Sequence, residues 1–130
     1  MPAYDASLFD PPEPLAKVTL RNRGDGTTLS DVPMLLDSGA DVTLVPQASV
    51  RQLGMQVDPN EGYELMGFDG SRSMAQAVQL DLIFVRRTFR GRFLIISQEW
   101  GVLGRDVLNH LSLLLDGPHL SWNESPSGER

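Results

Sequence analysis

The sequence has no cysteine in its 130 residues, which removes disulfides, Cys-ligated zinc, iron–sulfur clusters and thiol nucleophiles at once. It also lacks any apolar stretch near the roughly 20 residues that a membrane-spanning helix needs. The opening Met-Pro-Ala-Tyr-Asp carries neither a basic nor an apolar leader segment. These absences predict a cytoplasmic protein with no membrane partner. Basic residues are scarce, 11 against 17 acidic ones for a net charge of −6, so phosphate backbones are repelled on balance and nucleic acid is not an expected partner. Only two histidines occur, His110 and His119, and neither stands at metal-ligand spacing from other His, Asp or Glu residues. No metal and no organic cofactor is expected.

What remains is an ordinary globular composition, 41% hydrophobic, of a length that fits one core. Residues 1–14, with Pro11, Pro12 and Pro14, predict an extended arm. Residues 15–122 predict the folded domain, and 123–130 a polar, flexible tail. Within the domain, Val18-Thr19-Leu20 and Leu29–Leu36 read as strands joined by an Asp25-Gly26 turn. Val42–Val45 reads as another strand, and Pro46 opens a short helix that stops at Gly54. Two further hairpins are predicted. One has Gly67-Phe68-Asp69-Gly70 at its tip, and the other turns near Arg90-Gly91 between Ala77–Val85 and Arg92–Ile96. A short helix over Val107–Leu111 precedes Leu113–Leu115, an Asp116-Gly117-Pro118 turn and a last strand through Trp122. The class is all-β, mostly antiparallel, with one or two short helices. Arg86, Arg87, Arg90 and Arg92 read as a solvated hairpin, and Trp100 and Trp122 as core or interface aromatics.

One segment asks for more than packing. In Leu35-Leu36-Asp37-Ser38-Gly39-Ala40-Asp41 an apolar strand runs straight into a carboxylate followed by a hydroxyl residue and a glycine. Alone it fits an Asp-initiated turn equally well. Well downstream, Trp100-Gly101-Val102-Leu103-Gly104-Arg105-Asp106 sets an apolar pair, a glycine and an arginine ahead of a helix, with the Gly-tipped hairpin between the two segments.

With both segments in this order, residues 17–122 resemble the retropepsin-like (retroviral-type) aspartic peptidase family in its single-domain form. The resemblance implies an acid-protease half-barrel that works as a homodimer on an extended polypeptide. It implies Asp37 as the catalytic aspartate, with Ser38, Gly39 and Ala40 completing the active-site loop. It implies an Asp41–Arg105 ion pair, with Asp41 also near the substrate backbone, and a flap whose tip residues Gly67, Phe68 and Asp69 would contact substrate. Peptide hydrolysis by this route needs a base and an acid in one site. Neither Asp69-Gly70 nor Asp116-Gly117-Pro118 repeats the Asp-Ser-Gly loop, so the second carboxylate has to come from a second copy. The alternative is a catalytically weak or inactive dimerising peptide-binding module of the same fold. The termini depart from the family's usual pattern, one being proline-rich and the other polar, which points to a dimer built otherwise, from the strand Leu120-Ser121-Trp122.

Overall fold

A computed structural model describes residues 2–55, 62–66 and 72–125. Alternation of apolar and polar side chains makes the strands. In β2 (Glu13–Arg21), Ala16, Val18 and Leu20 are buried while Lys17 between them is exposed. In β6 (Arg72–Phe84) the same period buries Val78, Leu80, Leu82 and Phe84. These side chains pack with Met34, Val45, Leu103 and Val107 into one core, each large one contributing about 1.5–3 kcal/mol.

Strand β3 (Thr28–Leu36) is antiparallel to β2, and β2 also pairs with β6 through Thr19–Arg21. Next come β4 (Leu44–Pro46), α1 (Gln47–Gln52), β5 (Gly62–Met66), β6, β7 (Arg87–Ile96) and β8 (Gly101–Leu103). The pairings β2-β3-β8-β4-β7-β6 and back to β2 close a ring of six strands. β1 (Tyr4–Asp5) and β5 extend it from β2 and β6. After β8 come α2 (Arg105–Leu108), β9 (Leu113–Asp116), a 3-10 turn at Gly117–His119 and β10 (Ser121–Glu124). The all-β expectation holds, with two parallel pairings inside it, β3 with β8 and β4 with β7.

Local signals set several boundaries. Pro46 opens α1 with φ −65° and Gly54 ends it at φ +68°, the left-handed position that glycine takes without a Cβ penalty. The second hairpin corrects the sequence expectation. β7 runs unbroken through Arg90 and Gly91, which lie opposite Asp81 and Leu80, and the chain reverses at Val85 and Arg86, at φ 45° and 64°. A two-residue turn between right-twisted strands needs positive φ at both positions, and here residues without turn propensity supply it. β2 starts at Glu13, ahead of the strand expected at Val18, and Asp5 and Tyr4 pair with its first residues Glu13 and Pro14.

Asp81 is the one buried carboxylate among the described residues, its side chain 1% exposed. The register sets it between Arg21 of β2 and Arg90 of β7. Arg21 donates to Oδ2 from Nε at 3.0 Å and from Nη2 at 2.8 Å. Arg90 and Arg23 approach Oδ1 at 3.4 and 3.7 Å, and Oδ1 has no hydrogen bond of its own. Arg87 bonds the His110 carbonyl and Arg86 stands 3.5 Å from Glu124, so these arginines, like Arg90, have partners within the chain. Removing a buried charge strands its partners, whereas trimming an exposed one costs little. Asp81→Asn should therefore lose about 2–3 kcal/mol in urea unfolding, and Arg90→Gln, 69% exposed, less than about 1 kcal/mol. Equal losses would show that Asp81 is not held as a buried ion.

Candidate active site

Strand β3 delivers Asp37 to the rim of the barrel. The parallel pairing Met34 to Gly101, Leu35 to Val102 and Leu36 to Leu103 is continued by Asp37 N–H donating to the Leu103 carbonyl at 3.1 Å. The chain then turns tightly, with Ala40 N–H donating to the Asp37 carbonyl at 3.2 Å and Gly39 N–H to Asp37 Oδ1 at 2.9 Å. The Asp-initiated turn and the presented carboxylate are thus the same structure. A Cβ at residue 39 would sit 3.1 Å from that oxygen, so glycine keeps the carboxylate uncrowded. Asp37, Ser38 and Gly39 are all exposed.

The loop is braced from beneath by the segment that follows β8. Arg105 N–H donates to the Ala40 carbonyl at 2.8 Å, and Arg105 Nη1 to the Ser38 carbonyl at 2.7 Å. Thr43, fully buried, ties the far end. Its hydroxyl donates to Asp106 Oδ1 at 2.6 Å and accepts from Gly104 N–H at 3.0 Å. Its own N–H donates to Asp106 Oδ2 at 3.1 Å. The two segments lie so close that a Cβ at residue 104 would meet the Val42 carbonyl oxygen at 2.5 Å, and one at residue 101 the Leu44 carbonyl oxygen at 2.4 Å. Both contacts are with backbone that cannot step aside, so glycine is required at both positions.

Sequence reasoning found Asp37 to Ala40 and Arg105, and the structure brings them together. The ion pair expected between Asp41 and Arg105 is not formed among the described residues. Arg105 spends its guanidinium on the Ser38 carbonyl, and Asp41 stays exposed. The carboxylate that does anchor the loop is Asp106, which with Thr43 went unassigned. The Gly104-Arg105-Asp106 triplet contains the signal, but spacing does not say which of its charged residues turns toward the loop. The expected flap tip, Gly67, Phe68 and Asp69, lies outside the described residues. The strands on either side of it in the sequence pair antiparallel from Gly62 opposite Gln76 to Met66 opposite Arg72. Among the described residues no three His, Asp or Glu side chains gather as metal ligands, and no helix is long and apolar enough to cross a membrane. One chain therefore offers a single copy of the exposed Asp37 carboxylate at the strand end, on a rigidly held loop, able to act as an acid or as a base but not as both at once.

The family model described as retroviral aspartyl protease matches residues 11–116. Among solved structures, EIAV protease complexed with the inhibitor HBY-793 is similar, at 22% identity and a TM-score of 0.59, over 75% of this chain and 86% of that one. At that identity the likeness speaks for the fold. No curated protein matches the sequence.

Thr43→Val keeps the shape of the side chain and deletes its hydroxyl, leaving a buried N–H and a carboxylate oxygen without a partner. The expected loss is about 2 kcal/mol, with Thr43→Ser retaining most of the stability. Thermal melts of the two variants measure this, and a Val variant as stable as wild type would remove the brace from the account.

Proposed function

The chain belongs to the retroviral aspartyl protease family, and on that premise we propose that it is an aspartic endopeptidase, active as a homodimer, that hydrolyses an extended polypeptide with water activated between two Asp37 carboxylates. The observation that carries the reading is the half-site itself: a single exposed Asp37, held on a loop braced by Arg105 and Thr43, at the end of a barrel strand. Nothing in peptide hydrolysis can be done by that group alone in water. Two of them across a two-fold axis repel as anions and so retain one proton between them.

In that pair the ionised Asp37 removes a proton from water as the oxygen attacks the peptide carbonyl carbon. The protonated Asp37 of the other copy gives its proton to the carbonyl oxygen, and a neutral gem-diol forms. Collapse returns a diol proton to a carboxylate while the amide nitrogen takes one as the C–N bond breaks, leaving the pair singly protonated again. Asp41, exposed on the same loop, and Gly67, Phe68 and Asp69 of the flap are the residues proposed to meet the substrate backbone, with the flap excluding bulk water. Ala40 brings no hydroxyl to steady the carboxylate anion, which favours a less acidic optimum than that of pepsin-like enzymes.

Asp37→Asn should abolish cleavage of a peptide library while preserving the far-UV circular dichroism of the fold, and specific activity of the wild type should rise with protein concentration. Cleavage that survives the substitution would refute the mechanism. Because only the singly protonated pair holds an acid and a base together, kcat/KM should pass through a maximum with pH and fall on both sides. A rate that rises without a ceiling toward high pH would point to a different nucleophile.

A further inference from the structure

The basic residues of this acidic chain are not spread evenly. Arg21, Arg23 and Arg90 share the single buried carboxylate of Asp81, and Arg87 gives Nη1 to the His110 carbonyl, a partner without charge. Four guanidiniums thus stand against one carboxylate, in a molecule whose net charge is −6. Arg90 is held loosely. Asp81 Oδ1, 3.4 Å away, accepts no hydrogen bond, and the Arg90 side chain is 69% exposed. A guanidinium has five donors, so Arg87 and Arg90 keep several to offer a ligand.

Arg87, Arg90 and Arg92 of β7 line an open hollow of about 630 Å³, an ordinary size for a ligand site. Phe89, Gly91 and Phe93 alternate with them along the strand and line it too, and Asp106, Val107 and His110 supply the side formed by α2 and the turn after it. Asp106 accepts from Thr43 with both its oxygens, at 2.6 and 3.1 Å, so its charge is already engaged in bracing the active-site loop. Gly91 has no structural duty. It lies mid-strand opposite Leu80 in an unbroken register, its φ is not positive, and an added Cβ would meet nothing nearer than the Phe93 ring at 3.6 Å, an ordinary contact. Glycine weakens a strand interior, and its use there suits a place where a ligand comes close to the backbone.

We propose that this hollow binds an acidic stretch of the polypeptide substrate, away from the scissile bond, with Arg87 and Arg90 pairing its carboxylates and Gly91 letting the bound chain lie close to β7. The inference rests on the peptidase reading above and names a substrate class for it, polypeptides that carry clustered Asp or Glu residues outside the cleavage site. Guanidinium forks match the geometry of carboxylates. A short acidic stretch fits within the hollow, whereas a long phosphate backbone would run on over a surface that is acidic on balance. The active-site loop borders a different and smaller hollow, of about 250 Å³, where Leu108 of α2 joins Leu36, Ser38 and Leu115. The acidic stretch is therefore held apart from the loop that carries Asp37, and acts as a tether that raises the local concentration of the scissile bond.

Binding can be read without cleavage in the Asp37→Asn protein. By fluorescence anisotropy at low salt, labelled hexaglutamate should bind roughly tenfold or more tightly than labelled hexaglutamine, and should lose most of that margin by about 0.5 M salt. Arg87→Gln and Arg90→Gln should each weaken hexaglutamate binding roughly tenfold. Gly91→Val should weaken it as well without changing any charge, while the melting temperature stays the same or rises. In the wild type, a cleavable peptide extended by hexaglutamate should show a KM roughly five- to tenfold below that of the same peptide extended by hexaglutamine, at equal kcat. Equal binding of the two hexapeptides, or arginine variants that bind hexaglutamate as before, overturns the hollow as a site and leaves the peptidase reading intact. A single-stranded hexanucleotide that binds more tightly than hexaglutamate overturns the peptide assignment. A wild type that binds hexaglutamate but cleaves no peptide overturns the peptidase reading, and with it the substrate role, while the acidic-peptide site stands.

Discussion

Thr43 is where the two segments that build the candidate site hold each other. Its hydroxyl joins the loop that follows Asp37 to the backbone of Gly104 and the side chain of Asp106, and its own carbonyl accepts Leu94 N–H from β7 at 3.2 Å. A single buried residue thus connects β3's loop, β8's exit and β7. Buried hydroxyls are costly when unsatisfied and strong constraints when satisfied. The consequence reaches Asp37, because a loop anchored at its far end by Thr43, and in its middle by Arg105 at Ser38 and Ala40, has little freedom to swing the carboxylate. Gly101 and Gly104 belong to the same constraint. Only residues without a Cβ let β8 pass close enough for the Thr43 hydroxyl to reach the Gly104 N–H.

Such rigidity serves a group that one chain leaves in water. Preorganised electrostatics gain their value when water is excluded, and Asp37 on the single subunit is exposed. The barrel therefore stops short of a finished site, while Asp81 shows that the same fold can enclose a carboxylate when three guanidiniums surround it. The contrast lies in the register. Asp81 sits mid-strand, flanked on both sides by strands that each present an arginine opposite it. Asp37 sits past a strand end, where no neighbouring strand can cover it.

Local chemistry made much of the fold legible. The Asp25-Gly26 turn, Pro46 and Gly54 around α1, and the period-2 burial of β2 are all written in a few adjacent residues, and the Asp-Ser-Gly loop stands where a strand run ends. What escaped was non-local or lacked a side-chain signature. The parallel pairings of β3 with β8 and β4 with β7 join residues 67 and 50 positions apart, and no alternation pattern announces a partner at that range. The turn at Val85-Arg86 was hidden by residues that rarely adopt positive φ. Gly91, which looked like a turn, instead lies in mid-strand, where an added Cβ would meet the Phe93 ring at 3.6 Å. At the site, the triplet Gly104-Arg105-Asp106 was visible but its division of labour was not, since which charge faces the loop depends on where α2 begins.

The N-terminal segment ties these threads together. By pairing with β10, Ala3 opposite Ser121, it removes one edge that could otherwise recruit a foreign strand, and Phe9 reinforces the attachment with an edge-on contact to Trp100 at 5.1 Å. Among the described residues, β9 is left with an unpaired edge beside the hollow that Ser38 shares. An apolar edge is a hazard in proportion to how indiscriminately it pairs. Leu114 and Leu115 are the cost of leaving this edge bare, at 57% and 52% exposed, and Leu115 stands at the hollow that Leu36 and Leu108 line.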